Sequence, residues 1–130
     1  MPVALTDSHC HLDQLEEVDA ALEAAAAVGV ARVVAVSQDA ASMRTVLELA
    51  TRYPGRVLAG LGVHPVTVTQ RGAEAVATDL ALLAERLPDA AVVGEAGLDH
   101  KWAVTDAQQD EQAQVLERQF ELAARHRKPV

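Results

Sequence analysis

Three stretches of this 130-residue chain carry side chains that metal or phosphate chemistry uses, and each follows a short apolar run. The first is Asp7-Ser8-His9-Cys10-His11-Leu12-Asp13. Alternate side chains of an extended strand share a face, so Asp7, His9 and His11 are expected on one side and Ser8 and Cys10 on the other. Two converging imidazoles, with carboxylates near enough to orient their other nitrogens, form a partial site for zinc, manganese or a related divalent ion. An isolated H-x-H also occurs in plain polar turns. Its place at the end of an apolar run favours the ligand reading.

The second stretch is Gly60-Leu61-Gly62-Val63-His64-Pro65. Its glycines let the backbone turn and present His64, which could donate to a phosphate oxygen or be a loop histidine with no role. The third is Val92-Val93-Gly94-Glu95-Ala96-Gly97-Leu98-Asp99. A carboxylate buried alone after an apolar strand is costly, but it is suited to bridge two cations, which makes Glu95 a candidate ligand. Asp99 fits an ordinary turn or helix cap better. His100 has no partner at metal spacing. His126 belongs to the basic run Arg125-His126-Arg127-Lys128, which complements a helix C-terminus. Cys10 is expected to pack off the histidine face, and Trp102 to act as a lid contact or be buried.

The elements that must hold these residues alternate. Strands are expected at residues 3–6, 32–36, 57–61 and 91–94, with Pro129 and Val130 beginning a fifth. Between them, Val18, Leu22, Ala25, Ala26 and Gly29 share a helical face, as do Met43, Val46, Leu47 and Ala50. Val76, Leu80, Leu83 and Leu87 form a third, and Leu116, Phe120 and Ala123 a fourth. Glu16, Glu17 and Asp19 suit a helix start, and Pro54-Gly55 and Pro88-Asp89 mark helix ends. Such α/β alternation builds either a doubly wound sheet or a barrel, and in both the chemistry sits at the C-terminal ends of the strands. Periodicity does not choose between them.

Composition removes other classes. Half of the residues are apolar, enough for a real core, and the net charge of -8 argues against a surface that grips nucleic acid through many phosphate contacts. Bound cations can meet a phosphate in spite of that charge. The single cysteine allows no internal disulfide and fits a reducing compartment, so a cytoplasmic location is expected. No targeting or membrane segment is expected either. Phosphate loops, dinucleotide turns, paired C-x-x-C and nucleophile elbows are all missing from the sequence.

Four motifs in order, DSHCHLD, GLGVHP, GEAGLD and residues 114–130 ending in RKPV, resemble the TatD family of metal-dependent deoxyribonucleases. The resemblance implies a TIM-type (β/α)8 barrel with parallel strands, kinship with the amidohydrolase superfamily, and hydrolysis of DNA phosphodiester bonds with two divalent ions, Mg, Mn or Zn. It further implies that His9 and His11 ligate one metal, that Glu95 bridges both, and that His64 lies near the substrate phosphate. His100 stands where the family often has an aromatic.

Family members continue for about as many residues again, to a barrel of about eight units. Residues 1–130 therefore read as one partial domain, the first four β-α units, with further metal ligands on the missing half. An open half-barrel exposes strand edges and apolar interior, so self-association or a complementary C-terminal half is the expected partner, beside DNA as substrate. Two other functions stay open. One is a different hydrolase of the superfamily, cleaving an amide, ester or aminoacyl bond, and the other is a catalytically silent fragment.

Overall fold

A computed structural model describes residues 4–130, in which the short apolar runs form one four-stranded sheet. Its strands are β1 (Leu5–Cys10), β2 (Val30–Val36), β3 (Val57–Leu61) and β4 (Val92–Val93). They lie in the order β1-β2-β3-β4, and every neighbouring pair is parallel. A doubly wound sheet reverses direction at a switch point, whereas a barrel adds each new strand beside the last. The sequential order therefore selects the barrel, and the chain forms half of one, with helices between its strands.

The strand limits differ from the expected ones in informative ways. Val3 lies outside the described residues, and β1 runs on through Asp7-Ser8-His9-Cys10 because β2 continues beside it as far as Cys10. Asp7 pairs with Val33 but Cys10 with Ala35, so three steps on β1 face two on β2, a bulge around Ser8 and His9. At β4, hydrogen bonds from Ala91 N–H to Ala59 O (2.8 Å) and from Gly94 N–H to Leu61 O (2.8 Å) extend the pairing to the expected 91–94. The end of the chain lies along the far side of β4, where Val93 N–H donates to Pro129 O at 2.9 Å.

Helices α1 (Val18–Ala27), α2 (Ala40–Arg52), α3 (Pro65–Arg71), α4 (Ala73–Arg86) and α5 (Asp106–His126) cover one side of the sheet. The core joins Val33, Ala35, Ala59 and Leu61 of the strands to Met43 and Val46 of α2 and Leu83 of α4. The expected third helix is α4, and a shorter helix that was not expected, α3, precedes it, with Gly72 at a φ of 79° breaking the run between the two. Asp79 is fully buried there. It accepts Ala40 N–H at 2.9 Å and pairs with Arg71 at 2.9 Å, joining the start of α2 to α3 and α4.

Two expected faces are corrected. On α1 only Leu22 is buried, since Ala26 faces solvent and, among the described residues, no strand pairs with the outer edge of β1 to thicken the core. On α5 the inward residues are Gln112, Val115, Gln119, Leu122 and Ala123, while Phe120 is 48% exposed and Leu116 half-buried. The stripe is displaced because two of its positions are glutamines, which an apolar count passes over. Among the described residues no helix is long and apolar enough to cross a membrane.

The corrected face predicts unequal costs at two nearby positions. Leu122→Ala should lower the unfolding free energy by about 3 kcal/mol, as for a filled core site. Phe120→Ala should lower it by less than about 1 kcal/mol, and urea denaturation of both variants checks the order.

Candidate metal centre

The C-terminal ends of β2, β3 and β4 are laced together before any functional side chain is considered. Ser37, fully buried just past β2, accepts Gly62 N–H at 2.9 Å through its hydroxyl and donates the hydroxyl hydrogen to Gly62 O at 3.1 Å. Ser37 O in turn accepts Glu95 N–H at 3.1 Å, and Gln38 O accepts His64 N–H at 3.0 Å. Gly62 is required here by close approach, since a Cβ at that position would lie 2.5 Å from Glu95 O. The loops bearing His64 and Glu95 are thus pressed against each other through backbone.

On that frame the Glu95 carboxylate reaches three imidazoles. His11 Nε2 lies 3.3 Å and His9 Nε2 3.6 Å from Glu95 Oε2, while His64 Nε2 lies 3.3 Å from Oε1. The His9 and His11 rings stand edge to face with centroids 5.4 Å apart. One ligand atom from each of His9, His11 and Glu95 falls within 4.8 Å of the others. Glu95 Oε2 is buried and accepts no hydrogen bond, and His11 Nδ1 is buried without a partner as well. A carboxylate oxygen left bare between two imidazole nitrogens fits a divalent cation, since a buried anion needs positive charge or donors.

His64 is held differently from the other two. It caps α3, and its Nδ1 accepts Val66 N–H at 3.0 Å, with Pro65 in the first helical position. A ring whose Nδ1 accepts must carry its hydrogen on Nε2, the atom that faces Glu95 Oε1. His64 is therefore a donor toward the carboxylate.

The remaining residues separate cleanly. The Asp7 carboxylate accepts His9 N–H at 3.0 Å. Ser8 joins His9 in lining a cavity of about 490 Å³, with Val34, Val36, Val92 and Glu95, so the expected split between Ser8 and His9 fails where the bulge breaks strand alternation. Asp99 accepts Lys101 N–H at 3.0 Å within its turn, and Trp102 is 49% exposed rather than buried. His100 is exposed, and His126 ends α5. Burial raises the Asp13 carboxyl pKa against the pull of its own backbone N–H and of His11, and Asp13 Oδ1 is buried without a partner.

Sequence reasoning passed over Ser37, Gln112 and Gln119. Ser37 directly follows an apolar strand, the same position that singled out His9 and Glu95. Gln112 and Gln119 are seven apart, hence on one helical face with Val115 and Leu122.

Cys10 packs against the core with its thiol directed at Val34 O. Burial, aided by the negative charge of Asp7, pushes its pKa up to about 11. The protonated thiol is a poor nucleophile. Iodoacetamide should modify the native chain at pH 8 at least about 10-fold more slowly than the urea-unfolded chain, with the native rate rising only as pH nears 11, as followed by mass spectrometry.

Comparison with known proteins adds kinship to this geometry. A family model described as TatD related DNase matches residues 6–130. Over 139 residues the chain is 40% identical to deoxyribonuclease TATDN3 of Homo sapiens, covering 98% of this chain and 51% of that protein. It is 32% identical over 112 residues to a protein of Erwinia billingiae described as 3'-5' ssDNA/RNA exonuclease TatD, covering 86% of this chain and 41% of that one. The solved structure of YjjV, a TatD homolog from Escherichia coli, matches with a TM-score of 0.83 at 30% identity, over all of this chain and 50% of its own. The same protein is described as an uncharacterized metal-dependent hydrolase. The chain spans about half the length of the curated relatives it matches.

Proposed function

Because this chain belongs to the TatD-related DNase family, we propose that it supplies the first half of a divalent-metal centre that hydrolyses phosphodiester bonds in DNA. The observation that carries the reading is the bare, buried Oε2 of Glu95 between the Nε2 atoms of His9 and His11. In this reading His9 and His11 would ligate one ion and Glu95 would be shared with a second, with Mg, Mn or Zn as the candidates. Bound there, divalent ions supply a Lewis acid for the phosphoryl oxygens and lower the pKa of an attacking water.

The protein's own groups do the rest. His9 and His11 hold their Nε2 atoms toward one carboxylate oxygen, and the hydrogen bond from His9 N–H to Asp7 stiffens the bulge that aims them. His64 carries a hydrogen on Nε2, an atom 3.3 Å from Glu95 Oε1, and can donate it to a phosphate oxygen of the substrate. No side chain is asked to become a covalent nucleophile, and Cys10, buried and protonated, is unsuited to the task. DNA as substrate follows the descriptions of TATDN3 and of the Erwinia protein.

The residues 1–130 act in this proposal as one partial domain. β1 is an exposed edge, and the cavity beside His9 opens toward Val34, Val36 and Val92. An unpaired edge and an apolar interior call for further strands. A complementary half, or a second copy of the chain, closes the barrel and contributes the remaining ligands.

Labelled single-stranded DNA incubated with Mg, Mn or Zn tests both parts. Degradation is expected once the complementary half is supplied, and should fall about 100-fold or more with His9→Ala or a chelator. Equal degradation by the His9→Ala variant would contradict the assignment.

A further inference from the structure

We propose that Gln119, supported by Gln112 two turns earlier on α5, is a positioning residue that holds His64 against Glu95, an inference that rests on the metal-centre reading only for its consequence in metal binding. Both amides are buried, at 1% exposure each, on a face otherwise made of Val115 and Leu122. A buried amide without partners is costly, so its presence at an apolar phase calls for bonds that a leucine cannot make.

Those bonds converge on the two loops of the cluster. Gln119 Oε1 accepts Val63 N–H at 2.8 Å, and Gln119 Nε2 donates to Val63 O at 3.1 Å. One side chain thus satisfies both backbone groups of the residue before His64, where β3 has ended and no strand partner exists. Gln112 Oε1 accepts Asp99 N–H at 2.8 Å from the loop that begins at Glu95, while its Nε2 donates to Pro65 O at 3.0 Å and Thr69 Oγ1 at 2.8 Å. Residues 63 and 65 are clamped on either side of His64, and the 95–99 loop is tied to the same helix.

From there the geometry passes to the carboxylate. With its backbone pinned and its Nδ1 accepting Val66 N–H, the His64 ring can present only Nε2–H, 3.3 Å from Glu95 Oε1. The other oxygen, Oε2, lies 3.6 Å from His9 Nε2 and 3.3 Å from His11 Nε2. α5 lies outside the cluster, yet it sets the distance between two of its members. Outer partners of this kind tune metal affinity without touching the ion.

The test uses the 130-residue chain with Gln119→Met, which keeps length and removes the amide, read by ring-nitrogen NMR without metal and by calorimetric titration with zinc alone. The His64 ring signals should leave their wild-type Nε2–H pattern, and zinc affinity should fall about 10-fold. In a His64→Ala background the same substitution should add less than about 2-fold, because its route to the metal is already cut. Unchanged His64 signals in a folded Gln119→Met chain, or fully additive losses, would reduce Gln119 to packing and overturn the proposal. Should Gln119→Met not fold, Gln119→Glu, which keeps the acceptor for Val63 N–H, carries the same comparison. A wild-type chain that ignores zinc while its His64 signals still respond to Gln119→Met would retire the metal reading and uphold the positioning role.

Discussion

A carboxylate that is three-quarters hidden from water, with one oxygen wholly buried and unbonded, is the constraint around which the rest of this half-barrel is arranged. Desolvating Glu95 costs free energy that the fold alone does not return, because its Oε2 accepts no hydrogen bond. What surrounds it is instead three imidazoles, brought from the ends of β1 and β3. The backbone lacing through Ser37 and the close approach at Gly62 leave the Glu95 loop little room to retreat toward solvent. A bare carboxylate oxygen between donor atoms of metal-ligand type is the feature on which the proposed cation site rests.

Much of that arrangement was legible from residue types, because barrel chemistry follows a positional rule that sequence can express. His9, His11, His64 and Glu95 each follow an apolar run, and each run became a strand whose C-terminal end carries part of the cluster. Alternation also predicted that His9 and His11 would act together. It failed for Ser8, since a bulge depends on how β2 registers against β1, and register is a property of pairs of strands rather than of one.

The helices were read less well, for a physical reason that the site itself supplies. On α5 the inward stripe contains Gln112 and Gln119, whose polarity is repaid by backbone groups of distant loops. Hydrophobic counting therefore slid the face onto Phe120, which lies outside. On α1 the apolar content exceeds what half a sheet can bury, and only Leu22 is covered. The same incompleteness explains why β1 is exposed along its length while β2 and β3 are not.

Anomalous X-ray diffraction from crystals of the chain grown with zinc, recorded on either side of the zinc absorption edge, probes the central arrangement most directly. A peak about 2.0–2.2 Å from His9 Nε2, His11 Nε2 and Glu95 Oε2 is the result this account predicts. Density elsewhere on the chain, with Glu95 Oε2 still uncoordinated, would contradict it.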